Sequence, residues 1–111
     1  MKRGEVWTVA GGAYASKPRP AVIIQDDLFA STDSVLVAPF TSTLVSAPLM
    51  RIRVDPTVAG DSSGLESASD IMVDKVTSVR RSTVQAKIGR LSPELLVDVD
   101  RALMVILGLA R

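Results

Sequence analysis

The sequence has 111 residues, 47% of them hydrophobic, and this length and composition predict one domain spanning residues 1–111. Thirteen Lys and Arg residues oppose twelve Asp and Glu residues, and a net charge of +1 excludes a strong overall field that would draw nucleic acid or anionic lipid to the whole surface. The absence of Cys and His excludes disulfides, thiolate metal sites and imidazole acid–base catalysis.

Short valine-rich runs separated by Gly, Pro, Ser and Asp predict a fold made mainly of strands. A connecting loop is predicted at 11–18, where paired glycines precede a proline, and one helical turn at 27–31. Pro39 predicts an edge, a bulge or an end of pairing in the third strand. Six strands are predicted, over residues 5–9, 21–25, 34–40, 50–54, 71–79 and 86–89.

The last segment changes its hydrophobic period from two to between three and four, which predicts an amphipathic helix. Ser92 can cap this helix, Pro93 suits its first position, Glu94 suits the positive end of its dipole, and Gly108 can end it. The apolar positions are Leu95, Leu96, Val99, Leu103, Ile106 and Leu107. The predicted fold is mainly β (α+β): a small, strongly curved antiparallel sheet or half-open barrel with a C-terminal helix.

Sequence features that target proteins to membranes are not visible. No apolar stretch follows Met1–Arg3, and the near-apolar stretch 102–110 is far shorter than the ~20 residues that span a bilayer. We therefore expect a cytoplasmic protein with no membrane partner.

Two polar groups flank neighbouring predicted strands. Arg19 lies between Pro18 and Pro20, which fix the backbone and favour an extended chain, and a stiffly mounted guanidinium suits phosphate binding. Thr41 begins a Thr-Ser-Thr cluster directly after the third strand. If the second and third strands are antiparallel neighbours, Arg19 and Thr41 share one rim and can hold a phosphate between them.

Plainer interpretations stand beside this one. Arg19 can be an exposed charge between two prolines, and residues 41–43 can be a simple turn. Trp7 fits a core position better than a base-stacking one. Arg51 and Arg53 alternate with Ile52 and Val54, which fits a solvated strand face better than a basic stripe for a nucleic-acid backbone.

Several runs taken together resemble the MazF/PemK (Kid) family of toxin endoribonucleases, and the resemblance covers essentially the whole chain. The order and spacing of the runs carry the resemblance more than any single run does. The family fold, shared with the CcdB toxins, is a compact, strongly curved sheet or small SH3-like barrel with a C-terminal helix. The matching runs are Arg3–Trp7, Lys17–Asp26, Val37–Ser42, Gly64–Leu65, Val73–Val76 and Lys87–Leu91.

The resemblance implies cofactor-free, metal-independent cleavage of single-stranded RNA at a short sequence, by attack of the ribose 2′-OH on the neighbouring phosphate. Arg19 matches the catalytic arginine of the family, and Thr41 matches its catalytic Ser or Thr. Flanking RNA-binding roles are implied for Tyr14, Lys17, Ser42 and Thr43, with Ser69 or Asp70 taking a further site role.

The family also implies a symmetric homodimer and a cognate antitoxin whose acidic tail occupies the RNA groove. The alternative function is that of a non-enzymatic, CcdB-like toxin that binds and poisons DNA gyrase. The Arg19 and Thr41 pair disfavours this alternative, as does the ending Leu107–Arg111, which lacks the aromatic tail of the gyrase poisons. A third possibility is a fold relative with a binding role alone, as an antitoxin sink or autoregulator.

Overall fold

The computed structural model describes residues 1–10 and 17–111, and within them seven strands form one antiparallel sheet followed by one α-helix. Short 3-10 turns occupy Asp27–Phe29, Val73–Lys75 and Arg81–Thr83. The helix, α1, spans Pro93–Ile106. The strands are β1 (Glu5–Val9), β2 (Arg19–Ile23), β3 (Ser34–Thr41), β4 (Arg51–Val54), β5 (Ser69–Met72), β6 (Thr77–Arg80) and β7 (Val84–Arg90).

The sheet has the strand order β4-β5-β3-β2-β1-β7, and β6 pairs with β3 beside this path. All described pairings are antiparallel. Because β4 and β7 lie at opposite ends of the order, the sheet is not closed. The prediction of a mainly β fold, with a small antiparallel sheet or half-open barrel and a C-terminal helix, is confirmed.

The prediction of a single strand over 71–79 is wrong, because the chain leaves the sheet between β5 and β6. β6 pairs with the first half of β3, ending at Val37 and Thr77, and β5 pairs with the last two residues of β3. Ala38 and Pro39 lie between these two pairings. Pro39 has no amide hydrogen to donate, so pairing is interrupted on the side of β3 that faces β5 and β6. Pairing with β2 continues on the other side. The 3-10 turn at Val73–Lys75 takes up the extra length and buries Val73 in the core.

The second strand begins two residues earlier than predicted. Arg19 pairs with Val9 and Pro20 with Thr8, so both residues belong to β2 rather than to the preceding loop. The proline-fixed extended backbone is compatible with strand pairing. As a result, the sheet itself holds Arg19.

The main core lies between α1 and the sheet face that carries Val6, Val22 and Phe40. From the helix, Val99 and Ala102 are buried within it. A smaller cluster on Ala21, Ile23, Val35 and Val37 forms separately, with Trp7 packed against it. The period-two alternation of the strands therefore places apolar residues on both faces.

The predicted ends of the helix are confirmed. The Ser92 hydroxyl accepts the N–H of Leu95 at 3.2 Å, and Gly108 has a positive φ of 73° just after the helix. The predicted apolar face is wrong in its last turn, where Ile106 and Leu107 are exposed. The core contacts of the helix reach only as far as Leu103. In the described part of the chain, no helix has the length and apolar character needed to cross a membrane.

Candidate active site

Arg19 and Thr41 meet at one end of the sheet. β2 and β3 are antiparallel with Ala21 opposite Pro39, and continuing this register by two residues brings Arg19 opposite Thr41. Both residues line one cavity of about 420 Å³. The prediction that the start of one strand and the end of the other share a rim is confirmed.

Arg19 is mounted rigidly but presents its side chain to solvent. It is the first residue of β2, its neighbour Pro20 is half-buried, and Arg19 itself is exposed. Among the described residues, it forms neither an ion pair nor a side-chain hydrogen bond. The described residues that line the cavity include no carboxylate, so the guanidinium gives it a local positive charge that can bind an anion.

Thr41 is the last residue of β3, and its hydroxyl is oriented by the chain that follows. Its Oγ1 accepts the N–H of Thr43 at 3.1 Å. Because this bond uses a lone pair, the hydroxyl hydrogen remains available for donation to a bound oxygen. The exposed residues Ser42 and Thr43 line the same cavity, which therefore combines one arginine with several hydroxyl-bearing residues.

The two predicted site residues on the neighbouring strand β5, Ser69 and Asp70, differ in whether they line the cavity. Ser69 lines the cavity with Arg19 and Thr41, and its hydroxyl donates to the carbonyl of Ser67 at 3.2 Å. Asp70 lies directly across from Thr41 in the register, but only 1% of it is exposed. The structure thus brings Ser69, but not Asp70, to the lining of this cavity.

The Asp70 carboxylate is bound by protein groups at both oxygens. Oδ1 accepts from Arg53 Nε at 2.5 Å, and Oδ2 accepts from the N–H of Val45 at 3.0 Å. Burial alone would raise the pKa of Asp70, but the hydrogen bonds from Arg53 and Val45 and the charge of Arg53 lower it below its usual value. Asp70 is therefore a buried anion with its charge balanced inside the protein.

The basic stripe considered for Arg51 and Arg53 is paired with carboxylates. Arg51 contacts Asp74 through Nε and Nη2, at 2.8 Å and 3.2 Å, and Arg53 contacts Asp70. The pattern of alternation placed both arginines on one face, but their partners depend on the register between β4 and β5, which the pattern does not encode. Sequence reasoning therefore missed these ion pairs.

Two further predicted RNA-binding residues lie outside this cavity. Lys17 is exposed two residues before Arg19 and is not among the residues that line the cavity. Tyr14 lies outside the described residues. The predicted roles of both stay predictions.

Comparison with protein families identifies one match that spans nearly all of the chain. Residues 2–107 match the model described as "PemK-like, MazF-like toxin of type II toxin-antitoxin system". The chain is 51% identical over 111 residues to the "Probable endoribonuclease MazF" of Mycolicibacterium smegmatis, with 99% of each chain covered. It is 28% identical over 119 residues to "Endoribonuclease MazF9" of Mycobacterium tuberculosis, with 98% of each covered.

Solved structures share the fold at low sequence identity. A mycobacterial endoribonuclease in complex with its cognate antitoxin superposes with a TM-score of 0.80 at 19% identity, covering 100% of this chain and 98% of that one. A MazE–MazF complex from Deinococcus radiodurans gives a TM-score of 0.78 at 15% identity, covering 99% and 97%. The gyrase-poison alternative gains no support from these matches.

Proposed function

Since the chain belongs to the family of PemK-like, MazF-like toxins of type II toxin–antitoxin systems, we propose that it is an endoribonuclease that cuts single-stranded RNA. The observation that carries this proposal is the placement of Arg19 and Thr41 across one cavity at the end of β2 and β3. A guanidinium and several hydroxyl groups on one lining, with no carboxylate among the described lining residues, suit a phosphodiester.

The proposed reaction is an internal transfer at phosphorus. The ribose 2′-oxygen attacks the adjacent phosphorus and gives up its proton to solvent, while the bond between phosphorus and the 5′-oxygen breaks. The departing 5′-oxygen takes up a proton from solvent. The products are a 2′,3′-cyclic phosphate on one fragment and a 5′-hydroxyl on the other.

Arg19 and Thr41 have different electrostatic roles in this step. Arg19 stabilises the negative charge that builds on the phosphorus centre, and the Thr41 hydroxyl donates to a phosphate oxygen. Because these groups supply the charge stabilisation, the proposed reaction uses no metal ion and no cofactor. Ser42, Thr43 and Ser69 line the cavity and are proposed to contact the flanking nucleotides, together with Lys17 and Tyr14.

The proposed partners follow from the family. A cognate antitoxin accompanies the mycobacterial endoribonuclease noted above, and we propose that this chain also has one. We further propose that the chain acts as a homodimer in the cytoplasm. The apolar side chains that α1 leaves exposed support an interface with a second copy.

The test is the rate of cleavage of a long, unstructured RNA by purified variants. Arg19→Ala is expected to lower the rate by about 10³-fold or more, and Thr41→Val by about 10²-fold, because each removes a group that stabilises the transition state. Both positions lie outside the core, so neither substitution leaves a cavity. Circular dichroism serves as the folding control. Wild-type rates in both variants would show that the site lies elsewhere.

A further inference from the structure

We infer that Asp70 and Arg53 are positioning residues for the nuclease site, acting through the loop that follows Thr41. This inference rests on the proposed function. Neither side chain lines the cavity that holds Arg19 and Thr41. Both instead hold the loop segment 42–45, which places Ser42 and Thr43 beside that cavity.

The register aligns the relevant residues in one row across the sheet. β5 lies between β3 and β4, with Asp70 opposite Thr41 on one side and opposite Arg53 on the other. Directly opposed residues on neighbouring strands point to the same face of a sheet. The row continues through Thr41 toward Arg19 on β2. The ion pair is thus built into the same row as the proposed catalytic groups.

Both backbone groups of Val45 are bound by this pair. The Val45 N–H donates to Asp70 Oδ2 at 3.0 Å, and the Val45 carbonyl accepts from Arg53 Nη2 at 3.3 Å. At the other end of the segment, the Thr43 N–H donates to Thr41 Oγ1. The exposed chain from Ser42 to Val45 is therefore tied at both ends, although its own side chains are not buried.

The burial of Asp70 favours a positioning role over a contribution to stability alone. Asp70 is only 1% exposed and carries a desolvation penalty, although Arg53 is 48% exposed, and apolar residues of similar size often replace a buried charge and its partner without loss of stability. Such a replacement would leave Val45 without its two partners. The ion pair supplies what an apolar pair cannot, which is a fixed path for the loop.

Two cavities lined by described residues separate the side chains of the ion pair from the reacting groups. Arg53 and Asp70 line a larger cavity of about 670 Å³, between β4, α1 and residues 45–49. Thr41, Ser42 and Thr43 line the smaller one. The backbone of Asp70 pairs with Thr41, whereas the side chains of the ion pair bind the loop and do not line the smaller cavity. Removing their charges should therefore disturb the geometry of the reaction more than the binding of RNA.

The experiment measures kcat and KM for RNA cleavage in Arg53→Gln, Asp70→Asn and the double variant, below their unfolding temperatures. Each single variant is expected to lower kcat by about 10- to 100-fold, because small misplacements of reacting groups have effects of this size, with KM changed less than about twofold. The double variant is expected to be no slower than the slower single variant, because both changes disrupt the same ion pair and its contacts with Val45. Asp100→Asn, which breaks the ion pair with Arg3, is the matched control and should cleave at the wild-type rate.

Amide hydrogen exchange gives a readout besides activity. Exchange at the Val45 N–H is expected to accelerate in Asp70→Asn and Arg53→Gln but not in Asp100→Asn. Since Arg53 is 48% exposed, Arg53→Gln keeps the test valid if Asp70→Asn does not fold.

Three results would overturn the inference. Folded variants with wild-type kcat would show that the reaction does not depend on the ion pair that holds the loop. A raised KM with unchanged kcat would mean that Asp70 or Arg53 binds RNA directly. If the wild-type protein and Asp100→Asn fail to cleave any RNA, the proposed function itself fails and takes the positioning role with it.

Discussion

At the scale of single residues, some charged side chains are paired within the protein and others are exposed to solvent. Asp70, Asp74 and Glu5 are held by arginine, lysine or backbone partners. Arg19 instead keeps an exposed guanidinium on a rigid backbone, and within the described residues it has no carboxylate partner. An exposed guanidinium held on a strand-paired backbone suits phosphate recognition.

Glu5 offers a direct test of how these paired carboxylates stabilise the fold. Burial alone would raise its pKa, but the Lys2 N–H at 2.7 Å, the Trp7 indole N–H at 3.0 Å and the Lys87 ammonium at 2.9 Å lower its pKa from 4.5 to about 2. Because the folded-state pKa is depressed, Glu5 stabilises the protein above pH 4.5, and this contribution is lost as the pH falls toward 2.

We predict that urea unfolding at pH 7 and pH 2.5 will show this loss in the wild type. Glu5→Gln should lower the free energy of unfolding by about 3 kcal/mol at pH 7 but by only about 1 kcal/mol at pH 2.5, because the pH then lies far below the pKa of the unfolded state and close to that of the folded state. Glu66→Gln, at an exposed carboxylate, is the control for general acid effects. An equal loss of stability at both pH values would contradict the proposed pairing.

At the scale of elements, the segment 61–64 and β7 approach each other unusually closely. The Arg90 N–H donates to the Ser62 carbonyl at 2.8 Å, and the Ser62 hydroxyl donates to the Arg90 carbonyl at 2.9 Å. Gly64 lies against Ile88 with a φ of +76°. A β-carbon at Gly64 would come within 1.9 Å of the Ile88 carbonyl oxygen, so only glycine fits this crossing.

A pair of glycine substitutions separates this steric requirement from backbone strain. Gly60 has a φ of +85° but nothing within 4 Å of its added β-carbon, so Gly60→Ala should cost only about 1 kcal/mol of stability. Gly64→Ala should cost about 3 kcal/mol or more, because the backbone of β7 must also shift. Chemical denaturation measures both values. Equal losses in the two variants would show that β7 tolerates the displacement.

The elements also show how far the sequence can predict this fold. The alternation of Arg51 to Val54 and the capping residues of α1 predicted their elements correctly, because these signals are local. The division of the segment 71–79 between two strands was missed, since it depends on how β3 shares its length between β5 and β6. Register between distant strands is decided by packing of the whole sheet.

The candidate site, like the fold, can be predicted from the sequence only in part. The proline frame of Arg19 and the position of Thr41 after a strand are visible in the sequence, and neighbouring strands bring the two residues together. The ion pair of Arg53 and Asp70 is not visible, because it joins residues 17 positions apart through the β4–β5 register. The sequence also leaves open whether Ser69 or Asp70 belongs to the site. That depends on which of the two side chains lines the cavity, and this is decided by the folded structure.

At the scale of the whole molecule, α1 leaves apolar side chains exposed on the side away from the core. Val97, Met104 and Val105 each expose between 45% and 49% of their area. Because the net charge is only +1, a pair of chains that brings two Arg19 side chains into one groove would strengthen the attraction for RNA.

We predict that analytical ultracentrifugation at micromolar concentration will give twice the chain mass of 11.8 kDa. Met104→Glu should shift the protein toward the single-chain mass, because it places a charge in the proposed interface. Val58→Glu, at an exposed loop position, is the control and should leave the mass unchanged. A single-chain mass for the wild type would contradict the homodimer.

The most direct test of the central claim is to map new 5′ ends after the purified wild-type protein is incubated with long single-stranded RNA in EDTA, beside Arg19→Ala. We predict discrete cuts with 5′-hydroxyl ends at a recurring short sequence in the wild type, and none in the variant. Uncut RNA with folded, antitoxin-free protein, or identical cuts by Arg19→Ala, would contradict a metal-independent ribonuclease that works through Arg19.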